Sequence, residues 1–305
     1  MPSPDLKRRN LLIAALAAPV WPALPGCSTL LPVSLNMAST PAAQALLKES
    51  ANAHGLKAFQ ALQDVSVSYA GEWRALIGKL QPALVDSSFR ASSEERLLLR
   101  EGLVAQAHTG PGGRKQVVRK AGTTAPGEVH AWYNGEEARD AERRAAAALV
   151  ADAYRLFLLG PLWLVDRPLA MELGEIEWVN EHACDVLRLQ LAPGLGHARV
   201  DQVALFIDRK ERLLRRVRFT LDGLESTRGA IAEVEMYDHQ TLHGVRWPTR
   251  FYERLVRPMR MPVHDWNLTG LDVNRGLSAS DVEGPEFRGA AVARATPLAR
   301  PGRNG

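Results

Sequence analysis

The chain has 305 residues, a formal net charge of +4 and a pI near 9.2, with 46% hydrophobic and 24% charged residues. These are globular proportions with material for a large core. The basic balance does not indicate nucleic acid, because it sits at the ends. Lys7, Arg8 and Arg9 near the start and Arg288, Arg294, Arg300 and Arg303 near the finish enclose a net-negative body, without the clustered basic face that such binding requires.

The first segment reads as an export signal. Lys7, Arg8 and Arg9 precede an apolar run over 11–20, and small residues lead to a cysteine in Leu24-Pro25-Gly26-Cys27. A bilayer span needs about 20 apolar residues, so this shorter run fits a cleavable h-region. The four-residue sequence resembles the lipobox of bacterial lipoproteins, with Pro25 where Ala or Ser is usual. That resemblance implies removal of residues 1–26 and acylation of Cys27 with palmitate-type chains. Each buried methylene contributes about 0.8 kcal/mol, and more than one chain is needed for stable anchoring. Ser28, in place of Asp, implies delivery to the outer membrane rather than retention at the inner one. An ordinary secretory signal, with Cys27 a plain thiol, is the other reading. Lys7-Arg8-Arg9-Asn10-Leu11-Leu12 is also similar to a degenerate twin-arginine signal, so both export routes remain open. No later stretch reads as a span: the longest candidate, 145–164, is interrupted by Asp152, Arg155, Gly160 and Pro161.

Residues 27–41 read as a lipidated linker. A helix is expected over 42–62, where Leu46, Leu47, Ala51, His54, Ala58, Phe59 and Leu62 recur at helical spacing behind Thr40 and Pro41. The period then falls to two. Val65, Val67 and Tyr69 alternate with polar residues, 96–109 reads as one bent strand, and 114–120 pairs back after the turn Gly110-Pro111-Gly112-Gly113. Another strand over 128–134 ends at the turn Asn134-Gly135. A second helix over 138–159 stops at Gly160-Pro161. Strands follow at 176–179, 184–191, 203–208, 213–221, 231–238, 245–256 and 264–273. The total is about ten strands with two helices in one domain over 42–285, followed by a disordered basic tail over 286–305.

Val217, Phe219 and Leu221 alternate with Arg216, Arg218 and Thr220, and Ala232, Val234 and Met236 with Glu233, Glu235 and Tyr237. One sheet face is therefore apolar and the other polar, with Arg216 and Arg218 pairing to Glu233 and Glu235 on a solvated outer side. Two helices cover little of such a sheet unless it curls around them, and a curled sheet leaves an apolar pocket. This element order, an initial helix, a strongly curved antiparallel sheet and a helical lid inserted mid-chain, resembles the LolA/LolB-like lipoprotein carrier superfamily. Ala53-His54-Gly55, Gly110-Pro111-Gly112-Gly113-Arg114-Lys115, Trp132-Tyr133-Asn134-Gly135 and Gly244-Val245-Arg246-Trp247-Pro248 are similar to stretches in envelope proteins of this kind. The expected fold is thus mainly β (α+β): a half-barrel, not a closed barrel. The resemblance implies a non-catalytic protein that binds a lipid or lipoprotein acyl chain in its concave face, without a cofactor.

Candidate lining residues are Val217, Phe219, Val234, Met236, Trp247, Phe251, Trp266 and Leu268 from the sheet, with Leu156 and Phe157 from the lid. All ten also fit as plain core. Two other functions stay open. An envelope sensor or interaction lipoprotein would bind a protein partner. A metal-dependent hydrolase would use His239 and His243, four apart, with Asp238 and His264, although the local sequence reads as a strand entering a turn. Cys184 lies in a strand-like run and reads as a buried, inert thiol.

Overall fold

The computed structural model describes residues 37–122 and 125–299. The export signal, Cys27 and the last six residues lie outside the described residues.

The first helical region is two helices, α1 (Pro41–Ala53) and α2 (Leu56–Gln60). The Thr40 hydroxyl accepts from Ala43 N–H and Pro41 occupies the first turn, as the cap signal predicted. The expected continuous helix is broken at Gly55, which sits at φ +92°. Then come β1 (Asp64–Trp73), two short helices α3 (Ala75–Leu80) and α4 (Pro82–Val85) absent from the sequence reading, β2 (Ser92–Leu98) and β3 (Leu103–Gly110). The single bent strand expected over 96–109 is this β2–β3 hairpin, turned through Gly102 at φ +63°. The meander continues with β4 (Gly113–Lys120), β5 (Glu128–Tyr133) and β6 (Glu136–Glu137). The middle helix α5 (Ala141–Leu159) is capped by Asp140 and ended at Gly160; α6 (Pro161–Leu164) follows.

The second run of strands is β7 (Ala170–Leu173), β8 (Glu177–Val179), β9 (His182–Leu191), β10 (Asp201–Asp208), β11 (Leu214–Thr220) and β12 (Ile231–Tyr237). A small hairpin of β13 (Gln240–Leu242) and β14 (Val245–Trp247) precedes β15 (Arg250–Arg257), β16 (Met261–Val273) and α7 (Ala279–Val282). Fourteen strands form one antiparallel sheet, in the order β6-β5-β4-β3-β2-β1-β16-β15-β12-β11-β10-β9-β7 with β8 also on β9. The excess over the expected number comes largely from short strands, which carry too few residues to show a period.

The sheet is strongly curved. Strands β4 and β11 stand seven places apart, which in a flat sheet is about 34 Å. Yet α5 touches both: Asp152 meets Arg119 of β4 at 2.8 Å, and the Phe157 ring lies 5.4 Å from that of Phe219 of β11. Five residues of helix cover only about 7.5 Å, so the sheet must wrap α5. The result is the expected half-barrel, with the middle helix across its concave side. From Ala146 to Leu159 every residue of α5 is buried. Buried residues of the helix and of strands from both halves of the sheet make one contiguous core.

Two outer-face expectations need correction. Arg216 faces Glu235 and Arg218 faces Glu233 across β11 and β12, and they form ion pairs as predicted. These side chains are buried rather than solvated, because Arg254 of β15 joins both glutamates and Phe206 packs under both arginines. Residues 286–299 are not a free tail. Arg96 Nε and Nη2 donate to Ala291 O and Ala293 O, Leu298 N–H donates to Thr269 O, and Val282 and Ala291 cover Leu98, Leu103, Ala105 and Val118 on the outer face. The doublets Leu97-Leu98, Leu103-Val104 and Val117-Val118 supply apolar residues to both faces, so this part of the sheet is covered on both sides.

Candidate functional site

Trp73 closes β1 and the chain turns at once into α3 and α4. Pro82 stops α3 from continuing and starts α4 in its first turn. Only Ile77 and Val85 of this segment reach full burial, against Met261 and Val263 of β16. The segment is fastened beyond α4: Asp86 Oδ2 accepts from Lys115 Nζ at 2.7 Å and from the Tyr133 hydroxyl at 3.1 Å, and Arg90 Nη1 donates to Leu84 O at 2.7 Å.

Between this segment, α5 and the β12–β15–β16 part of the sheet lies a cavity of about 440 Å³. Its walls are Trp73, Ile77 and Leu84 on one side, Val150, Ala153, Tyr154 and Phe157 of α5 below, and Phe219, Ala232 and Leu255 of the sheet. The mouth lies between α3, the 226–230 loop and the β15–β16 turn. Two apolar side chains on it stay in water, Leu80 at 52% exposure and Met259 at 58%.

Four charged groups line this cavity: Arg90 and Glu253 within its apolar wall, and the exposed Arg228 and Arg257 at the mouth. Arg90 is 5% exposed, and its guanidinium lies 4.6 Å from the Trp73 ring centre and 5.5 Å from that of Tyr154. Burial pushes the Glu253 carboxyl up to about 7, with Arg90 pulling the other way. Beyond Arg90 is a chamber of about 20 Å³ lined by Ser93, His108 and His264 among others. His264 stacks between Trp73 and Trp266, and its Nδ1 lies 3.1 Å from the Tyr154 hydroxyl. Burial, and then the charge of Arg90, hold its pKa well below the ordinary value.

All ten sequence-named lining residues join the same contiguous core. Phe157 and Phe219 reach the cavity wall. Trp266 borders the small chamber. Leu156, Val217, Val234, Met236, Trp247, Phe251 and Leu268 lie in the core away from both spaces. Sequence reasoning missed Trp73, the α3–α4 segment, Arg90 and Glu253. Glu253 carried a readable signal, an acid between Phe251 and Leu255 on the inward face of β15.

The histidine pair does not assemble. His243, at φ +53°, is exposed in the β13–β14 turn, whereas His239 is half-buried with its ring 5.7 Å from that of His54. Both His54 nitrogens are taken, Nδ1 by Arg246 O and Nε2 by Leu214 N–H. Among the described residues no three His, Cys, Asp or Glu side chains gather as a metal site. Cys184 is fully buried, and burial pushes its thiol up to about 11.

No family profile matches the sequence, and no curated protein is similar to it. Solved structures are similar in fold. A DUF1329 family protein from Desulfovibrio piger superposes with a TM-score of 0.50 at 12% identity, covering 81% of this chain and 98% of that one. A LolA superfamily protein from Nitrosomonas europaea gives a TM-score of 0.41 at 12% identity over 79% of this chain and 96% of that one. At such identities the likeness concerns the fold alone.

Proposed function

We propose that this protein is a non-catalytic envelope lipoprotein, tethered through acylated Cys27 to the periplasmic face of the outer membrane, that holds a lipid or lipoprotein acyl chain in its half-barrel. The observation that carries this reading is the 440 Å³ apolar cavity under α3 and α4 with Leu80 and Met259 at its mouth. Small-molecule sites typically have about 300–1,000 Å³, apolar walls and a few polar groups, and this cavity has all three properties. The test is native mass spectrometry of protein purified from membranes, followed by extraction of anything bound. Copurified lipid supports the reading; an empty protein that also takes up no lipid from vesicles removes it. Labelled palmitate tests the anchor, and Cys27→Ala should abolish incorporation.

One observation favours a second reading, an envelope interaction protein. Leu173, Ile176 and Trp178 are exposed together at the β7–β8 end of the sheet, Trp178 at 68%. A protein partner captured through this patch, with an empty cavity, would support it.

A further inference from the structure

A cavity of about 440 Å³ lies within the range of small-molecule sites and has room for an acyl chain with a small head.

Its inner end carries a cation with no fixed counter-ion. Among the described residues no carboxylate lies within 4 Å of Arg90, whose guanidinium donates from Nη1 to Leu84 O and also hydrogen-bonds the Tyr154 side chain. Glu253 and Glu95 are near enough for their charges to be felt, but neither forms an ion pair with Arg90. A guanidinium withdrawn from water with no anion in contact is unfavourable, and the faces of Trp73 and Tyr154 compensate only in part. On the far side of Arg90, His108 Nε2 is buried without a hydrogen-bond partner and borders the small chamber. Arg90 and His108 thus place buried polar groups at the base, while Leu80, Met259 and the solvated Arg228 and Arg257 stand at the mouth.

We propose, resting on the carrier reading above, that the ligand is a single-chain amphiphile with an acidic head, its carboxylate or phosphate oxygens on the Arg90 guanidinium and its chain running outward between α5 and the α3–α4 segment. Two charge-assisted hydrogen bonds from one planar guanidinium suit either anion.

Calorimetric titration of the mature protein with dodecanoate, dodecyl phosphate and dodecanol tests this. An acidic ligand should bind about tenfold or more tightly than the alcohol. Arg90→Met should remove that preference by weakening dodecanoate and dodecyl phosphate far more than dodecanol, while Glu253→Gln should keep or strengthen it. Dodecanoate binding above dodecyl phosphate identifies a carboxylate head, and the reverse order a phosphate head. Equal binding of all three, or a preference that survives in Arg90→Met, overturns the acidic-head assignment and leaves the carrier reading standing. Failure of all three to bind overturns the carrier reading itself. Should Arg90→Met not fold, Arg90→Lys retains the charge but not the planar fork, and an unchanged acid preference in it overturns the two-bond arrangement.

Discussion

Arg119 of β4 and Asp152 of α5 meet at 2.8 Å where each side chain is at most 3% exposed. The same carboxylate accepts from Arg155 at 2.9 Å and from Gly196 N–H at 2.9 Å, so one acid ties the middle helix to β4 and to the 192–199 loop. Removing it strands two buried guanidinium groups. Asp152→Ala should cost about 3–5 kcal/mol, read as a lowered midpoint in urea unfolding. A loss below about 0.5 kcal/mol would show that the helix is held by its apolar contacts alone.

The mouth residues are in water already, so changing them should separate function from stability. Leu80→Glu combined with Met259→Glu should leave the unfolding free energy within about 0.5 kcal/mol of the parent. Transfer of a fluorescent fatty acid from vesicles into the protein should slow markedly. Unaltered transfer would mean that ligands enter by another route.

Glu95 gives the fold a pH slope. It is 1% exposed, and burial pushes its carboxyl up to about 8, against the hydrogen bond from Gln106 and the charges of Arg90 and Arg96. A raised acid favours the protonated native state: its contribution is fully present below the ordinary value of 4.5 and is lost as pH rises through about 8. Unfolding free energy attributable to this group should therefore fall across that window. Comparison of parent and Glu95→Gln at both ends checks it, since the variant should lose most of the difference. A slope of the opposite sign, or one unchanged in the variant, would contradict the assignment.

Gly55 is required by its backbone. It sits at φ +92°, and a Cβ there would lie 2.3 Å from Gly244 O. Gly55→Ala should destabilise by about 1–3 kcal/mol through strain and that contact, measured as a fall in Tm. An unchanged Tm would mean that α1 and α2 can re-pack against the β13–β14 hairpin without it.

Much of the fold was legible from local pattern. Alternation along Val217, Phe219 and Leu221 and along Ala232, Val234 and Met236 marked strands and their inner face, and the Gly160-Pro161 stop placed the end of α5. The α3–α4 segment escaped because helices of six and four residues have too few turns to display a period. The cavity escaped for another reason. Phe157 and Phe219 carry the same inward signal as Leu156 and Val217, yet only the first two border empty space.

The sequence by itself determined which residues alternate, where turns and caps fall, and hence a curved, one-sided apolar sheet with a helix across it. Only the tertiary structure decided what covers each face. β1 pairs with β16 through Val65 and Val273, the segment 286–299 returns to the outer side of β2, and Arg90 comes to rest between a β1 tryptophan and an α5 tyrosine. Side-chain periodicity is a property of neighbours along the chain, whereas burial, counter-ions and voids depend on segments far apart in it. A lone arginine before β2 therefore looks like any surface cation until the fold closes over it.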